Sequence, residues 1–166
     1  MQNIIIVFVI YNIGQGANAL GRLFNNGAML YFLKRNGGLK MKIEEMSVLV
    51  CDDSMFARKS MCMFIATLGI KNIYEASDGQ EAIEKYTANK PDVVFMDIVM
   101  PVVTGIDALI KIKESDPDAT VVMASSIGTQ NHLKAAIKAG AADFLQKPIS
   151  NDQVKQILEN VAKGVL

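Results

Sequence analysis

Residues 93–101 read VVFMDIVMP, four strand-forming apolar residues that end on an aspartate and break at a proline. A run of Val93, Val94, Phe95 and Met96 without polar alternation reads as a strand covered on both faces, as in the parallel sheets of α/β proteins. The acid that follows, Asp97, then stands at the carboxyl edge of the sheet. Open α/β sheets bind ligands at that edge, because the loops and helix N-termini that follow the strands converge on it. Taken alone, Asp97 is equally well read as the cap of a turn before Pro101. Its company at the other strand ends decides between the two.

From Ser47 onward the chain alternates strand and helix. Strands are expected at Ser47 to Val50, Asn72 to Ala76, Asp92 to Met96, Thr120 to Ala124 and Asp143 to Leu145. Helices are expected at Met55 to Leu68, Gly79 to Asn89, Thr104 to Glu114, Thr129 to Ala139 and Ser150 to Lys163. Ser54, Asp78 and Ser150 are N-cap residues, and Gly69, Pro91, Pro117 and Gly140 act as stops. In the first helix Phe56, Met63 and Leu68 are among the apolar positions; in the second, Ala82, Ile83 and Tyr86 share a face. Ile106, Leu109, Ile110 and Lys113 recur at helical spacing in the third. Five strands separated by helices predict a doubly wound parallel sheet with right-handed crossovers and helices on both faces, a three-layer α/β/α domain.

Composition fixes the size and excludes several classes. The chain has 166 residues, 51% of them hydrophobic, enough for one domain with a real core and some additional chain. Cys51 and Cys62 lie eleven apart in apolar contexts, which favours two buried thiols over CxxC redox chemistry or a zinc site. Charge sums to zero but is unevenly spread. Residues 1–41 hold Arg22, Lys34, Arg35 and Lys40 and no acid, so 42–166 carry thirteen basic residues against seventeen acidic. That sign disfavours binding nucleic acid through its phosphates.

Residues 1–41 differ from the remainder. Ile4 to Ile10 and Ala28 to Leu33 are apolar, but neither run approaches the roughly 20 residues that span a bilayer. No positive charge precedes the first run, which argues against a secretory signal despite the Ala17-Asn18-Ala19 sequence. Gly14, Gly16 and Gly21 lack the strand and downstream acid of a dinucleotide loop. The segment is expected to be an upstream extension outside the fold, with 42–166 the folded domain and Met41 an ordinary place for a soluble chain to start.

The strand–helix order gathers polar residues at one edge. Asp52 and Asp53 follow the first strand, Asp97 ends the third, Ser125 and Ser126 end the fourth, and Lys147-Pro148 follows the fifth. Three carboxylates in one cleft repel one another unless a cation intervenes. Hard oxygen ligands on tight loops suit Mg²⁺, which keeps several waters and accepts a phosphate oxygen. A lysine and a hydroxyl alongside would complement a phosphoryl group.

With DD at 52–53, MDIVMP at 96–101, ASS at 124–126 and FLQKP at 144–148, the stretch of about 46–164 resembles the receiver domain of two-component response regulators, of the stand-alone chemotaxis kind. The resemblance implies a flavodoxin-like fold and a cytoplasmic signalling protein, not an enzyme, in which Asp97 accepts a phosphoryl group from a histidine kinase or a small phosphodonor. It implies that Asp53, Asp97 and the Val99 carbonyl hold Mg²⁺, with Asp52 acting through water. Lys147 would bridge the acceptor and the phosphoryl oxygens, Ser125 would hydrogen-bond the phosphoryl group, and the Lys147–Pro148 peptide would be cis. Ser125 and Phe144 would form the switch, with Phe144 where chemotaxis members often have Tyr. Val99 and Ile127 would flank the water that removes the phosphoryl group and, being apolar, slow that loss. Output would pass to a target docking on the fourth helix, fifth strand and fifth helix, since no second domain follows.

Two other functions share parts of this pattern. A haloacid-dehalogenase-type phosphatase wants a second Asp two residues after the nucleophile, where Val99 stands. A flavin-binding flavodoxin-like protein needs a hydroxyl- and glycine-rich loop after the first strand, where Asp52-Asp53 would repel the phosphate. His132, the single histidine, reads as a surface residue of the fourth helix rather than a phosphodonor.

Overall fold

The computed structural model describes residues 41–126 and 130–166. Five parallel strands form one sheet in the order β2-β1-β3-β4-β5: β1 (Ser47–Cys51), β2 (Asn72–Ala76), β3 (Val93–Asp97), β4 (Val121–Ser125) and β5 (Asp143–Gln146). The helices between and after them are α1 (Met55–Thr67), α2 (Gly79–Asn89), α3 (Gly105–Ser115), α4 (Gln130–Lys138) and α5 (Asn151–Ala162). This is the flavodoxin-like doubly wound arrangement expected of the alternating pattern. Element boundaries agree with the sequence to within a residue or two, except that the start of the fourth helix, placed at Thr129, falls outside the described residues.

Both faces of the central strands are covered, so alternate residues enter two separate cores. Leu49, Cys51, Val94, Met96, Val121 and Met123 pack with Ala82, Tyr86, Leu109, Ile112 and Ala136 from α2, α3 and α4. Val48, Val50, Val93, Phe95 and Val122 pack on the other side with Ile65, Val154, Ile157 and Leu158 from α1 and α5. Each such fully buried aliphatic side chain contributes about 1.5–3 kcal/mol of transfer free energy, which is why β1, β3 and β4 carry almost no polar residue before their ends.

Caps set the helix starts. Ser54, Asp78, Thr104 and Ser150 each accept a hydrogen bond from the backbone N–H three residues on, and Ser150 with Gln153 forms a full capping box. Thr104 is thus the cap of α3 rather than its first residue.

One reading of the first helix needs correction. Phe56 and Met63 do not face the core: they are 84% and 66% exposed. The inner face of α1 is formed by Met61, Cys62, Phe64 and Ile65 instead, with its C-cap Leu68. Cys62 is accordingly half-buried, whereas Cys51 is buried as expected. Helical spacing alone cannot tell which of several apolar stripes turns inward when a helix carries more than one.

Candidate functional site

Parallel register brings the polar strand ends into a row. Cys51 pairs with Met96 and Asp97 with Ala124, while Ser125 pairs with Gln146. The ladder then runs one residue further: the Asp52 N–H donates to Ala76 O, Ile98 N–H to Ala124 O, and Lys147 N–H to Ser125 O. Asp52 and Asp97 therefore stand level, with Ser125 one residue and Lys147 two residues further along, at four neighbouring strand ends.

The loop after Asp97 is pinned from two sides. The Gly105 N–H donates to Ile98 O at 3.0 Å, and the Gly79 N–H donates to Val103 O at 3.1 Å. A side chain at Gly105 would collide with the carbonyl oxygen of Asp97, and one at Gly79 with that of Val103. Only glycine lets α3 begin this close to the acceptor strand. In the same loop Val102 adopts φ +63°, a left-handed conformation uncommon for a β-branched residue, and is exposed.

Lys147 is the hub of the site. Its Nζ lies 2.7 Å from Asp52 Oδ2 and 2.8 Å from Asp97 Oδ2. The Lys147–Pro148 peptide that delivers it is cis. Asp52 is held at its other oxygen as well, where Oδ1 accepts from the Ser54 N–H at 2.9 Å. Asp52 and Asp97 are buried, while Asp53 is exposed. Together Asp52, Asp53 and Asp97 offer three carboxylate oxygens within 4.8 Å of one another. These hard carboxylate oxygens are the ligand type Mg²⁺ takes, and three in one pocket suit that ion chemically, directly or through a water it retains.

Burial pushes the Asp97 carboxyl above its ordinary range; the hydrogen bond and charge of Lys147 pull it back, and Asp52 pushes it up again. Burial also acts against the Lys147 ammonium, but the bonds to Asp52 and Asp97 outweigh it and raise its pKa. The two partners differ because the ammonium collects two carboxylates, whereas Asp97 has half of one ammonium and a second acid beside it. Net, the pocket carries more negative charge than it compensates, which is the condition a cation or a proton relieves.

The remaining expected residues are distributed around this centre. Ser125 is buried, and its Oγ donates to Ser126 O at 3.1 Å and lies 3.3 Å from His132 Nδ1. His132 is therefore not a plain surface residue: it is partly buried in the first turn of α4 and turned to the serine. Phe144 is partly buried against the core that α2, α3 and α4 cover. Val99 is exposed, and Ile127 lies outside the described residues. Reading residues singly missed Arg58 too, whose guanidinium donates to Asp52 O at 2.7 Å and pairs with Glu75. The available signal was position, one turn into the helix that follows the acid.

A parallel α/β sheet with three acids and a lysine at its carboxyl edge defines the class. Comparison with known proteins gives the family: residues 48–159 match the model of the response regulator receiver domain. The chemotaxis protein CheY of Thermotoga maritima is 43% identical over 116 residues, covering 70% of this chain and 97% of its own length. CheY of Listeria monocytogenes is 41% identical over 118 residues, 71% of this chain and 99% of its own. Among solved structures, the complex of CheX, CheY, beryllofluoride and magnesium from Borrelia burgdorferi aligns with TM-score 0.66 and 36% identity, over 70% of this chain and 88% of that one. The chain belongs to the response regulator receiver domain family.

Proposed function

We propose that this protein is a chemotaxis-type response regulator in which Asp97 takes a phosphoryl group from a histidine kinase. The observation that carries this reading is the Lys147 ammonium bridging Asp52 and Asp97 in a buried pocket. An Asp97 oxygen attacks phosphorus, the new O–P bond forms as the P–N bond to the donor imidazole breaks, and the electron pair stays on that nitrogen. Little covalent help is needed, so the protein's contribution is position and charge.

Asp53, Asp97 and the Val99 carbonyl would hold Mg²⁺, with Asp52 reaching it through water. When bound, that ion neutralises the carboxylates and the charge on the transferring group. Lys147 keeps its hold on Asp97 and neutralises a phosphoryl oxygen, and Ser125 donates to another. Ser125 moving inward leaves room that Phe144 fills, a two-state packing change that alters the surface of α4, β5 and α5, where a target protein docks. Leu133 and Ile137 expose apolar area on α4 for such a partner. No helix among the described residues is long and apolar enough to cross a membrane. The receiver acts in the cytoplasm, and it takes in Met41, which the sequence grouped with the extension: the Met41 N–H donates to Ala162 O at 3.2 Å and its side chain packs on the core that α1 and α5 cover.

Asp53 supplies the test of the metal role. Asp53→Ala should lose phosphorylation by acetyl phosphate with Mg²⁺, and Asp52→Ala should weaken it; wild-type rates in Asp53→Ala at limiting Mg²⁺ would contradict the assignment. The signal should also be long-lived, because neither Val99 nor Ile127 can hydrogen-bond the attacking water. Val99→Asn with Ile127→Glu should speed phosphoryl loss by about tenfold, the effect of one positioned polar contact. Equal decay of the two proteins would place control of water elsewhere.

A further inference from the structure

Ser125 has more than one claim on its hydroxyl. At 4% exposure it has little recourse to solvent, so its single proton and its lone pairs must be shared among protein groups. Those groups are the Ser126 carbonyl at 3.1 Å and the imidazole Nδ1 of His132 at 3.3 Å, one from its own strand end and one from α4. The second ties Oγ to α4.

We propose that His132 is a positioning residue for the switch, holding the Ser125 hydroxyl in its unphosphorylated place until a phosphoryl group on Asp97 competes for it. The inference rests on the phosphoacceptor reading above. Charged phosphoryl oxygens are stronger acceptors than the Ser126 carbonyl, so they win the hydroxyl proton when present, and a hydroxyl turned to them gives up its bond to His132 Nδ1 as well, whichever of the two donates. His132 sets how much of that advantage is spent on breaking the resting contact. Because the imidazole belongs to α4, loss of its partner is felt directly by the helix that the output surface uses. The Ser125–His132 bond is thus a latch between the site and α4, made of two side chains seven residues apart.

Beryllofluoride with Mg²⁺ mimics the phosphoryl group without covalent chemistry, and its binding to the full chain can be titrated by ¹⁹F NMR. His132→Ala should bind it about fivefold more tightly than wild type, the size of effect one neutral hydrogen bond commands. His132→Asn, whose amide occupies the position of Nδ1 and either donates or accepts there, should return to wild-type affinity. In a Ser125→Ala background the His132→Ala change should have no effect, the coupling expected of residues that act through one bond. The chain has a single histidine, so selective ¹⁵N labelling reports Nδ1 directly, and its resonance should shift when beryllofluoride binds. Unchanged affinity in His132→Ala, an equal change in the Ser125→Ala background, or a ¹⁵N resonance that does not move would overturn the proposal while leaving the phosphoacceptor reading intact. Failure of wild type to bind beryllofluoride would overturn both.

Discussion

Asp97 is held at the cost of stability. Its pKa is raised in the folded protein chiefly by burial, so the environment favours the neutral acid over the carboxylate. A carboxyl whose folded pKa exceeds its unfolded one binds more protons folded than unfolded between the two values, and stability falls as pH rises through that window. Below the window both states are protonated and nothing is lost. Asp97→Asn should therefore melt higher than wild type at pH 7 without Mg²⁺, and the gap should close as pH is lowered through about 4. Thermal unfolding across pH checks this, and a lower melting temperature for Asp97→Asn at pH 7 would refute it. The acids, the lysine and the serine could be placed at one edge because each stands immediately at or after an apolar strand, and only their joint occurrence set them apart from turn and cap residues. His132 and Arg58 were not, since their places depend on how α4 and α1 are rotated against the sheet, which depends on packing rather than on local spacing.

At the scale of elements, the site depends on how closely α3 approaches β3. Gly105 is the residue that permits this, because any Cβ there meets the Asp97 carbonyl. Gly105→Ala must displace either the helix start or the strand end, and backbone on both sides leaves no flexible side chain to yield. We expect a loss of about 1–3 kcal/mol, the range for overpacking a well-filled site, together with slower phosphorylation. Denaturant unfolding and acetyl phosphate kinetics measure the two effects, and a variant with wild-type values in both would show that the loop gives way freely. Strands and caps were readable because β3 and β4 are continuous apolar runs and Ser54, Asp78 and Ser150 stand just ahead of helical periodicity. The face of α1 was not readable. Met55, Phe56 and Met63 are apolar yet exposed, and nothing in their spacing distinguishes them from Met61, Phe64 and Ile65.

For the whole molecule, the strict alternation of strand and helix left few topologies open, and the polar strand ends selected the edge at which the chemistry lies. If residues 1–40 stand apart from the receiver, their deletion should leave both melting temperature and phosphorylation unchanged; a fall of several degrees would show that the apolar run packs on the domain. The central claim, that Asp97 is the phosphoacceptor, is tested most directly by intact mass spectrometry after incubation with acetyl phosphate and Mg²⁺. Wild type should gain one phosphoryl group, lose that gain in the presence of a chelator, and show none in Asp97→Asn. A wild-type protein that gains nothing, or a gain that survives in Asp97→Asn, would contradict it.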